Sequence, residues 1–309
     1  MKWSKAKFSE LFRVKHGYAF KSEHFDSTGD FVLLTPGSFH EHGGYRDQGD
    51  KTKYYTGDVP DGFVLDEGDL LVAMTEQAPG LLGSSAWIPE SDRFLHNQRL
   101  GRIVDLNERR LHKRFLYYLF NTAGVRGQIS GSASGTKVRH TSPERIGRVE
   151  AEIPPIEAQQ WIAATLTAYD DLIENNRRRM ALLEKAARLL YQEWFVRLRF
   201  PGHEHTPIQN GLPQGWKRKA VAEIADCIGG GTPSTSIPAY WQDGVIPWVT
   251  PTDVTRNQHF VLLDSAKKIT ELGLNNSSAK LLPRHAILMT SRASVGFFAI
   301  AGTEVCTNQ

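Results

Sequence analysis

The sequence predicts a mixed α/β fold in which two similar domains are joined by one long helix. Three observations lead to this prediction: short apolar runs separated by glycine and proline, an uninterrupted heptad pattern near the middle, and an internal repeat on either side of it. The 309 residues are enough for about two domains and a connector. An apolar fraction of 40% supports packed cores, and 23% charged residues of both signs argue against general disorder.

Residues 1–152 are predicted to form the first domain. Apolar runs at 31–34, 68–74 and 102–104 have the length of strands and are separated by turn residues. Residues 111–122 are predicted to be helical, because Phe115 and Leu119 recur on one face together with Leu116 and Phe120. A loop rich in glycine and serine is predicted at 127–135.

Residues 153–200 are predicted to contain one long helix, from about Ile156 to Val196. The two prolines of IPP at 153–155 stop any helix arriving from the first domain. Beyond them, seam positions recur in steps of four and three, which is the spacing of a coiled coil. The predicted interface residues are Ile162, Leu166, Tyr169, Ile173, Asn176, Met180, Leu183, Ala187, Leu190 and Trp194. A helix of ~60 Å with one apolar stripe requires a partner along that stripe, and the polar Asn176 would fix its register. A generic dimerisation rod has the same periodicity.

A polar loop at 201–211 leads to a second domain at 212–309 that repeats the first in outline. TP at 35–36 recurs at 250–251, and the run at 69–75 resembles the run at 285–291. Gly83 has its counterpart in Gly296, and NQ at 97–98 recurs at 308–309. Residues 99–150 and the long helix have no second copy in the sequence, so we expect the second domain to be incomplete and the chain to be truncated.

Composition restricts the function without defining it. The net charge of +3 and the pI near 8.8 permit nucleic-acid binding but do not require it, so any basic footprint must be local. Two distant cysteines and an N-terminus without an apolar run are typical of a cytoplasmic protein. The sequence contains no apolar run near the ~18 residues needed to span a bilayer, so no membrane partner is expected.

The glycine-rich run GSASGTK at 131–137 is not a Walker loop. That motif needs four residues between its glycines and lysine directly after the second, whereas here there are three and Thr136 intervenes. Glycines followed by Lys137, Arg139 and His140 are better suited to approach a DNA backbone. No catalytic or metal-binding pattern is found: the paired histidines at 40 and 42 and at 203 and 205 lack further ligands, and no nucleophile elbow occurs.

Four segments resemble the junction and spacer helix of type I restriction-modification specificity subunits. They are GTKVRH at 135–140, IPPIEAQQ at 153–160, DDLIENN at 170–176 and EWFV at 193–196. The two repeats are similar to the target-recognition domains of that family. The resemblance implies two α/β recognition domains, joined by a coiled-coil-type spacer helix, that each read half of a split duplex DNA target.

The resemblance also implies the partners and cofactors. Two methyltransferase subunits would dock on the spacer, and a separate motor subunit would translocate and cleave DNA. S-adenosylmethionine, ATP and magnesium would then belong to those partners, and this chain would hold no cofactor and no catalytic centre. Polar loop residues are the expected base readers. The candidates are Thr35, Ser38, Thr75, Gln77, Lys137, Arg139 and His140 in the first domain, and Thr250, Thr252, Ser291 and Arg292 in the second.

Two other functions remain open at this point. A self-contained DNA-modifying enzyme would need the catalytic motifs that are not found in the sequence. A coiled-coil adaptor without DNA binding would account for the heptads, but it would not need a repeated pair of flanking domains.

Overall fold

The computed structural model describes residues 3–76, 80–257, 259–292 and 294–309. The chain forms two compact units, Met1–Asp171 and Leu172–Gln309. The boundary lies inside the long helix. The helix is therefore divided between the units, whereas the sequence pattern treats it as a segment of its own.

The first unit is built from short strands grouped into small sheets. Its strands are β1 (Ser4–Lys7), β2 (Arg13–His16), β3 (Phe25–Asp26), β4 (Phe31–Leu33), β5 (Tyr54–Tyr55), β6 (Leu70–Ala73), β7 (Thr75–Glu76), β8 (Ser85–Trp87), β9 (Phe94–Leu95), β10 (Leu100–Val104), β11 (Arg139–His140) and β12 (Glu150–Ile153). The predicted strands at 31–34, 68–74 and 102–104 are thus confirmed. Two four-stranded sheets, in the orders β2-β10-β6-β8 and β3-β5-β4-β9, form the body, and β7 pairs with β11.

The central strand β6 is buried on both faces. Leu70 and Val72 lie in a core cluster with helical residues such as Leu116. Leu71 and Ala73, one residue out of phase, lie in a second cluster with residues around the other sheet. Because side chains alternate across a strand, the sheet is the middle layer between helices and a second sheet.

Three helices cover the outer face of this sheet: α1 (Lys113–Phe120), α2 (Ala123–Gly131) and α3 (Pro143–Gly147). The first confirms the predicted helix at 111–122. The second contradicts the first part of the predicted loop at 127–135, since the chain is helical as far as Gly131, and it leaves only 132–135 as loop. Val125 and Ile129, one turn apart, are buried in the core, and this packing outweighs the low helix propensity of the glycines.

The helix α4 (Ile156–Tyr191) confirms the predicted long helix, and a π-helical turn, Gln192–Val196, extends it. Its first turns are held in unit 1. The Gln159 side chain is fully buried, and its Nε2 donates to both Arg110 O and Pro154 O, while its Oε1 accepts the His112 N–H at 2.8 Å. Tyr118 Oη donates to Asp170 Oδ2 at 2.7 Å.

The second unit repeats part of this arrangement. Its elements are β13 (Ile208–Gln209), β14 (Leu212–Pro213), β15 (Ile246–Val249), α5 (Pro251–Arg256), β16 (Val261–Leu262), β17 (Lys268–Ile269), α6 (Glu271–Asn275), β18 (Ile287–Met289), β19 (Phe298–Ala301) and β20 (Cys306–Thr307). β15 pairs in parallel with β20, just as β4 pairs with β9. Leu288 faces the core of this unit, whereas Ile287 and Met289 on the opposite face are exposed.

Candidate nucleic-acid interface

Each unit has a capped turn directly after a strand that is paired in parallel. In unit 1 the Thr35 N–H donates to Ser38 Oγ at 3.2 Å. In unit 2 the Thr250 N–H donates to Asp253 Oδ2 at 2.8 Å. A side chain three residues along thus caps the turn in both copies, with a proline following each threonine. The predicted correspondence of Thr35 with Thr250 is confirmed here.

A β-hairpin forms the opposite side of each site, and its hydrogen bonds correct the predicted repeat. The Gly83 N–H donates to Ala73 O at 2.8 Å, and the Gly296 N–H donates to Thr290 O at 2.9 Å. Ala73 therefore corresponds to Thr290, so the predicted alignment of the run at 69–75 with the run at 285–291 is wrong by a single position. An alignment error of one position assigns each side chain to the wrong face of the strand. With the corrected alignment, Thr75 corresponds to Arg292, not to Ser291.

A cleft lies between the capped turn and the hairpin in each unit. The cleft of unit 1 has a volume of about 660 Å³ and is lined by both Thr35 and Thr75. The cleft of unit 2 has a volume of about 210 Å³ and is lined by Thr250, Ser291 and Arg292. The structure thus brings predicted contact residues from separate parts of the sequence to one concave surface in each copy.

Several predicted residues of unit 1 have their side chains engaged within the protein. Gln48 Nε2 donates to both Thr35 Oγ1 and Ser38 Oγ, at 3.1 and 2.9 Å. Ser38 is buried at 3% exposure. Thr75, buried at 6%, lies with its Oγ1 3.2 Å from His140 Nδ1. Direct base contact by Ser38 or Thr75 stays a prediction, and it would require these hydroxyls to become accessible.

Arg139 is also held internally, while Lys137 is free. One Arg139 nitrogen donates to Glu76 Oε1 at 3.1 Å and the other donates to Ser130 O. Lys137 is exposed and makes no ion pair with a described residue. The turn before it needs glycine, because a Cβ on Gly135, whose φ is 96°, would lie 2.0 Å from Val138 O. Lys137 is therefore the better placed of the two cations for a DNA phosphate.

In unit 2 the predicted residues are more open. Thr252, Ser291 and Arg292 are exposed, and Thr250 is half-buried with its Oγ1 donating to Asp253 Oδ2 at 2.6 Å. The predicted contact Gln77 lies outside the described residues.

Three basic residues that the sequence analysis missed also line the cleft of unit 1. They are Arg46, Lys53 and Arg99. All three are exposed, and none forms an ion pair with a described residue. Lys53 Nζ lies 5.7 Å from the centre of the Phe25 ring. Arg99 is far from the other two in sequence, so no local charge cluster could have indicated the set.

Glu76 is the other residue that the sequence analysis missed. It is 3% exposed, and its Oε2 accepts the N–H groups of Gly80, Leu81 and Leu82 at 3.1, 2.9 and 2.8 Å. The sequence did contain a signal for this residue, a single acid directly after a run of buried strand residues. Buried carboxylates are rare unless they are paired, so an acid at this position indicates a partner. Nearby, burial lowers the pKa of Arg126, whose guanidinium donates to Gly80 O, and Glu76 and Glu41 oppose that shift.

The α4 seam is a second candidate surface. The large seam residues from Leu166 onward are exposed: Leu166, Tyr169, Ile173, Met180, Leu183, Leu190 and Trp194. Asn176 and Ala187 are exposed as well, and Ile162 packs partly against the core of unit 1. Because exposed apolar stripes of this length usually mark interaction sites, the seam is available for a protein partner.

Within the described ranges, no group of three or more histidine, cysteine, aspartate or glutamate side chains could hold a metal ion. In the same part of the chain, no helix is both long and apolar enough to span a membrane.

Comparisons with known proteins agree on one family. The family model described as "Type I restriction modification DNA specificity domain" matches residues 1–185 and 213–309. The MjaIX specificity subunit of Methanocaldococcus jannaschii is 39% identical over 98 residues, 32% of this chain and 22% of that protein. The EcoBI specificity subunit of Escherichia coli is 28% identical over 180 residues, 58% of this chain and 34% of that protein. These matches span well under two thirds of the relatives' lengths.

A solved structure has the same fold. The S subunit of a type I restriction-modification system from M. genitalium superimposes with a TM-score of 0.61 at 15% sequence identity. The alignment covers 100% of this chain and 71% of that one. At this level of identity the likeness establishes the fold alone.

Proposed function

The chain belongs to the family of type I restriction modification DNA specificity domains, and from this premise we propose that it reads a bipartite duplex DNA target. Each unit would read one half-site. In this proposal the chain is a non-catalytic cytoplasmic subunit, and methylation, translocation and cleavage belong to methyltransferase and motor subunits. S-adenosylmethionine, ATP and magnesium would be bound by those partners.

The observation that carries this proposal is the duplicated cleft. Both units place a capped turn opposite a β-hairpin, and both clefts contain arginine: Arg46 and Arg99 in unit 1, and Arg292 in unit 2. Arginine is the residue best suited to read guanine through two hydrogen bonds, and exposed lysines such as Lys53 supply phosphate contacts. An adaptor that binds no DNA has no need of two clefts built from the same elements.

Selection from a pool of randomised duplexes tests the proposal. The purified chain, alone and with candidate methyltransferase subunits, should enrich sequences with two short constant blocks separated by a spacer of constant length. Arg99→Ala should relax one block and leave the other, at a cost of about 1–3 kcal/mol in discrimination. Arg109→Ala is the matched control, because Arg109 is exposed and does not line the cleft. If neither the chain alone nor the chain with methyltransferase subunits enriches any sequence, the proposal is contradicted.

The exposed α4 seam favours an additional scaffolding role. Leu183 and Leu190 are 67% and 52% exposed, and burying them is expected to require a helix from a partner. We propose methyltransferase subunits, or a second helix paired with them, as the occupant. The same seam is the basis of the adaptor alternative. Co-purification with partner subunits but without DNA selection would favour that alternative.

A further inference from the structure

Glu76 lies where two elements of the unit 1 cleft meet. Its backbone pairs with Arg139 across β7 and β11, so it belongs to the strand pair that carries Thr75 and His140. Its side chain reaches a second element, because one carboxylate oxygen accepts hydrogen bonds from the turn at Gly80–Leu82. This turn lies between β7 and β8, and Leu81 is part of the cleft lining.

The carboxylate is fully used. Oε2 accepts three consecutive backbone N–H groups, and Oε1 accepts a hydrogen bond from the Arg139 guanidinium at 3.1 Å. The Glu76 side chain is 3% exposed, and that of Arg139 is 34% exposed. Charge-assisted hydrogen bonds of this kind are stronger than neutral ones, and a buried carboxylate with four donors is a rigid anchor. Its loss would leave three N–H groups of the turn without a partner.

The second unit holds its equivalent turn by a different device. Thr290 Oγ1 accepts the Phe297 N–H at 3.0 Å and donates to Ser294 O. A hydroxyl holds the turn there, whereas a carboxylate holds the turn at Gly80–Leu82 in unit 1. Both copies thus use a buried polar side chain to hold the hairpin turn that borders the cleft, which is expected where the position of that turn matters.

We propose that Glu76 is a positioning residue for sequence selection by unit 1. This inference rests on the proposed DNA-reading function and names the element that carries selectivity, the turn at Gly80–Leu82. Glu76 holds the turn and Arg139 in one geometry, so that the cleft presents a single arrangement of donors to the base edges. Arg139 accordingly acts through Glu76 and contributes little as an independent base reader.

The test uses the full chain with the single substitution Glu76→Gln, which keeps the shape of the side chain and removes its charge. Glu67→Gln is the control, because the Glu67 side chain is exposed and has no hydrogen bond or ion pair to a described residue. Three quantities are measured for each protein: affinity for a duplex selected by the parent chain, affinity for a scrambled duplex, and hydrogen exchange at the amides of Leu81 and Leu82.

We expect Glu76→Gln to reduce the ratio of specific to scrambled affinity roughly tenfold. Affinity for scrambled DNA should change less than about twofold, since phosphate contacts do not depend on this anchor. Exchange at the two amides should accelerate while the melting temperature still reports a folded chain. The control should match the parent chain in all three measurements.

A double-substitution cycle strengthens the test. Because Glu76 and Arg139 act together as one ion pair, Glu76→Gln combined with Arg139→Gln should reduce selectivity no more than either change alone. Unchanged selectivity in Glu76→Gln would overturn the inference, and so would equal losses for both duplexes. If the parent chain selects no sequence, the proposed function itself fails. That outcome is distinguished because it is seen before any substitution is made.

Discussion

His285 takes a left-handed backbone conformation, φ 73°, at the place in the second unit where the first unit has Gly68 at φ 76°. The two are equivalent because the Gly68 N–H donates to Ile88 O and the His285 N–H donates to Ala301 O, each at the start of the same hairpin. Glycine adopts this conformation without strain, whereas a residue with a Cβ does so at a cost of about 1 kcal/mol.

Replacing His285 with glycine should therefore stabilise the second unit. We expect His285→Gly to raise the free energy of unfolding by about 0.5–1 kcal/mol, because His285 is exposed and its side chain has no hydrogen bond or ion pair with a described residue. Urea denaturation measures the change. Gly68→Ala is the reciprocal control, and it should destabilise unit 1. A loss of stability in His285→Gly would mean that the positive φ is not strained.

Gln159→Ala should release the first turns of α4 from unit 1. The fully buried side-chain amide of Gln159 makes three hydrogen bonds to backbone groups. Truncation to alanine leaves one N–H and two carbonyls without these partners. The expected loss is about 2–4 kcal/mol in the free energy of unfolding. Gln160→Ala, at the neighbouring exposed position, is the control and should change stability by less than about 0.5 kcal/mol. Equal effects would contradict the anchoring role.

His96 makes the stability of unit 1 depend on pH. Burial lowers the pKa of His96 to about 4, against the hydrogen bond to Leu100 O, which raises it. The unfolded chain binds this proton at about pH 6.5 and the folded chain does not. The contribution of neutral His96 to the free energy of unfolding is therefore fully present above pH 6.5. It is lost as the pH falls toward 4, by about 3 kcal/mol in total.

The check is urea denaturation between pH 7 and pH 4. His96→Gln retains a donor for Leu100 O and cannot titrate, so its stability should decline less steeply, by about 1.4 kcal/mol per pH unit below pH 6. His42→Gln, at an exposed site, should follow the parent chain. Parallel curves for His96→Gln and the parent would show that His96 does not titrate differently in the two states.

Leu183→Glu with Leu190→Glu should abolish binding of a partner to the seam. Both side chains are exposed, so the free energy of unfolding of the chain itself should change by less than about 0.5 kcal/mol. Co-purification with methyltransferase subunits measures binding. Ala181→Glu is the matched control, because Ala181 lies on α4 outside the seam. Undiminished co-purification of the double variant would exclude the seam as the docking surface.

Lys137→Ala should weaken binding to all duplexes to a similar extent. Lys137 is exposed in the loop before β11 and carries a charge without an ion-pair partner among the described residues, which suits a phosphate contact. Loss of one such contact should reduce the slope of log affinity against log salt by about 0.9. Titrations at several salt concentrations with specific and scrambled duplexes measure it. An unchanged slope would remove Lys137 from the interface.

Local sequence patterns were sufficient for the long helix and for the order of the repeat. Steps of four and three from Ile162 to Trp194 match the period of a helix, which depends on neighbours along the chain alone. The capped threonines at 35 and 250 were detectable for the same reason, since a cap is made by residues three positions apart.

The tertiary structure alone decided the rest. The hairpin register showed that the counterpart of Thr75 in the second repeat is Arg292, not Ser291. That register is determined by cross-strand hydrogen bonds. Burial of Val125 and Ile129 made a helix of a segment rich in glycine. The pairing of Glu76 with Arg139 joins two distant parts of the chain. Contacts at such separations depend on how the sheets and helices pack, and no local pattern in the sequence encodes them.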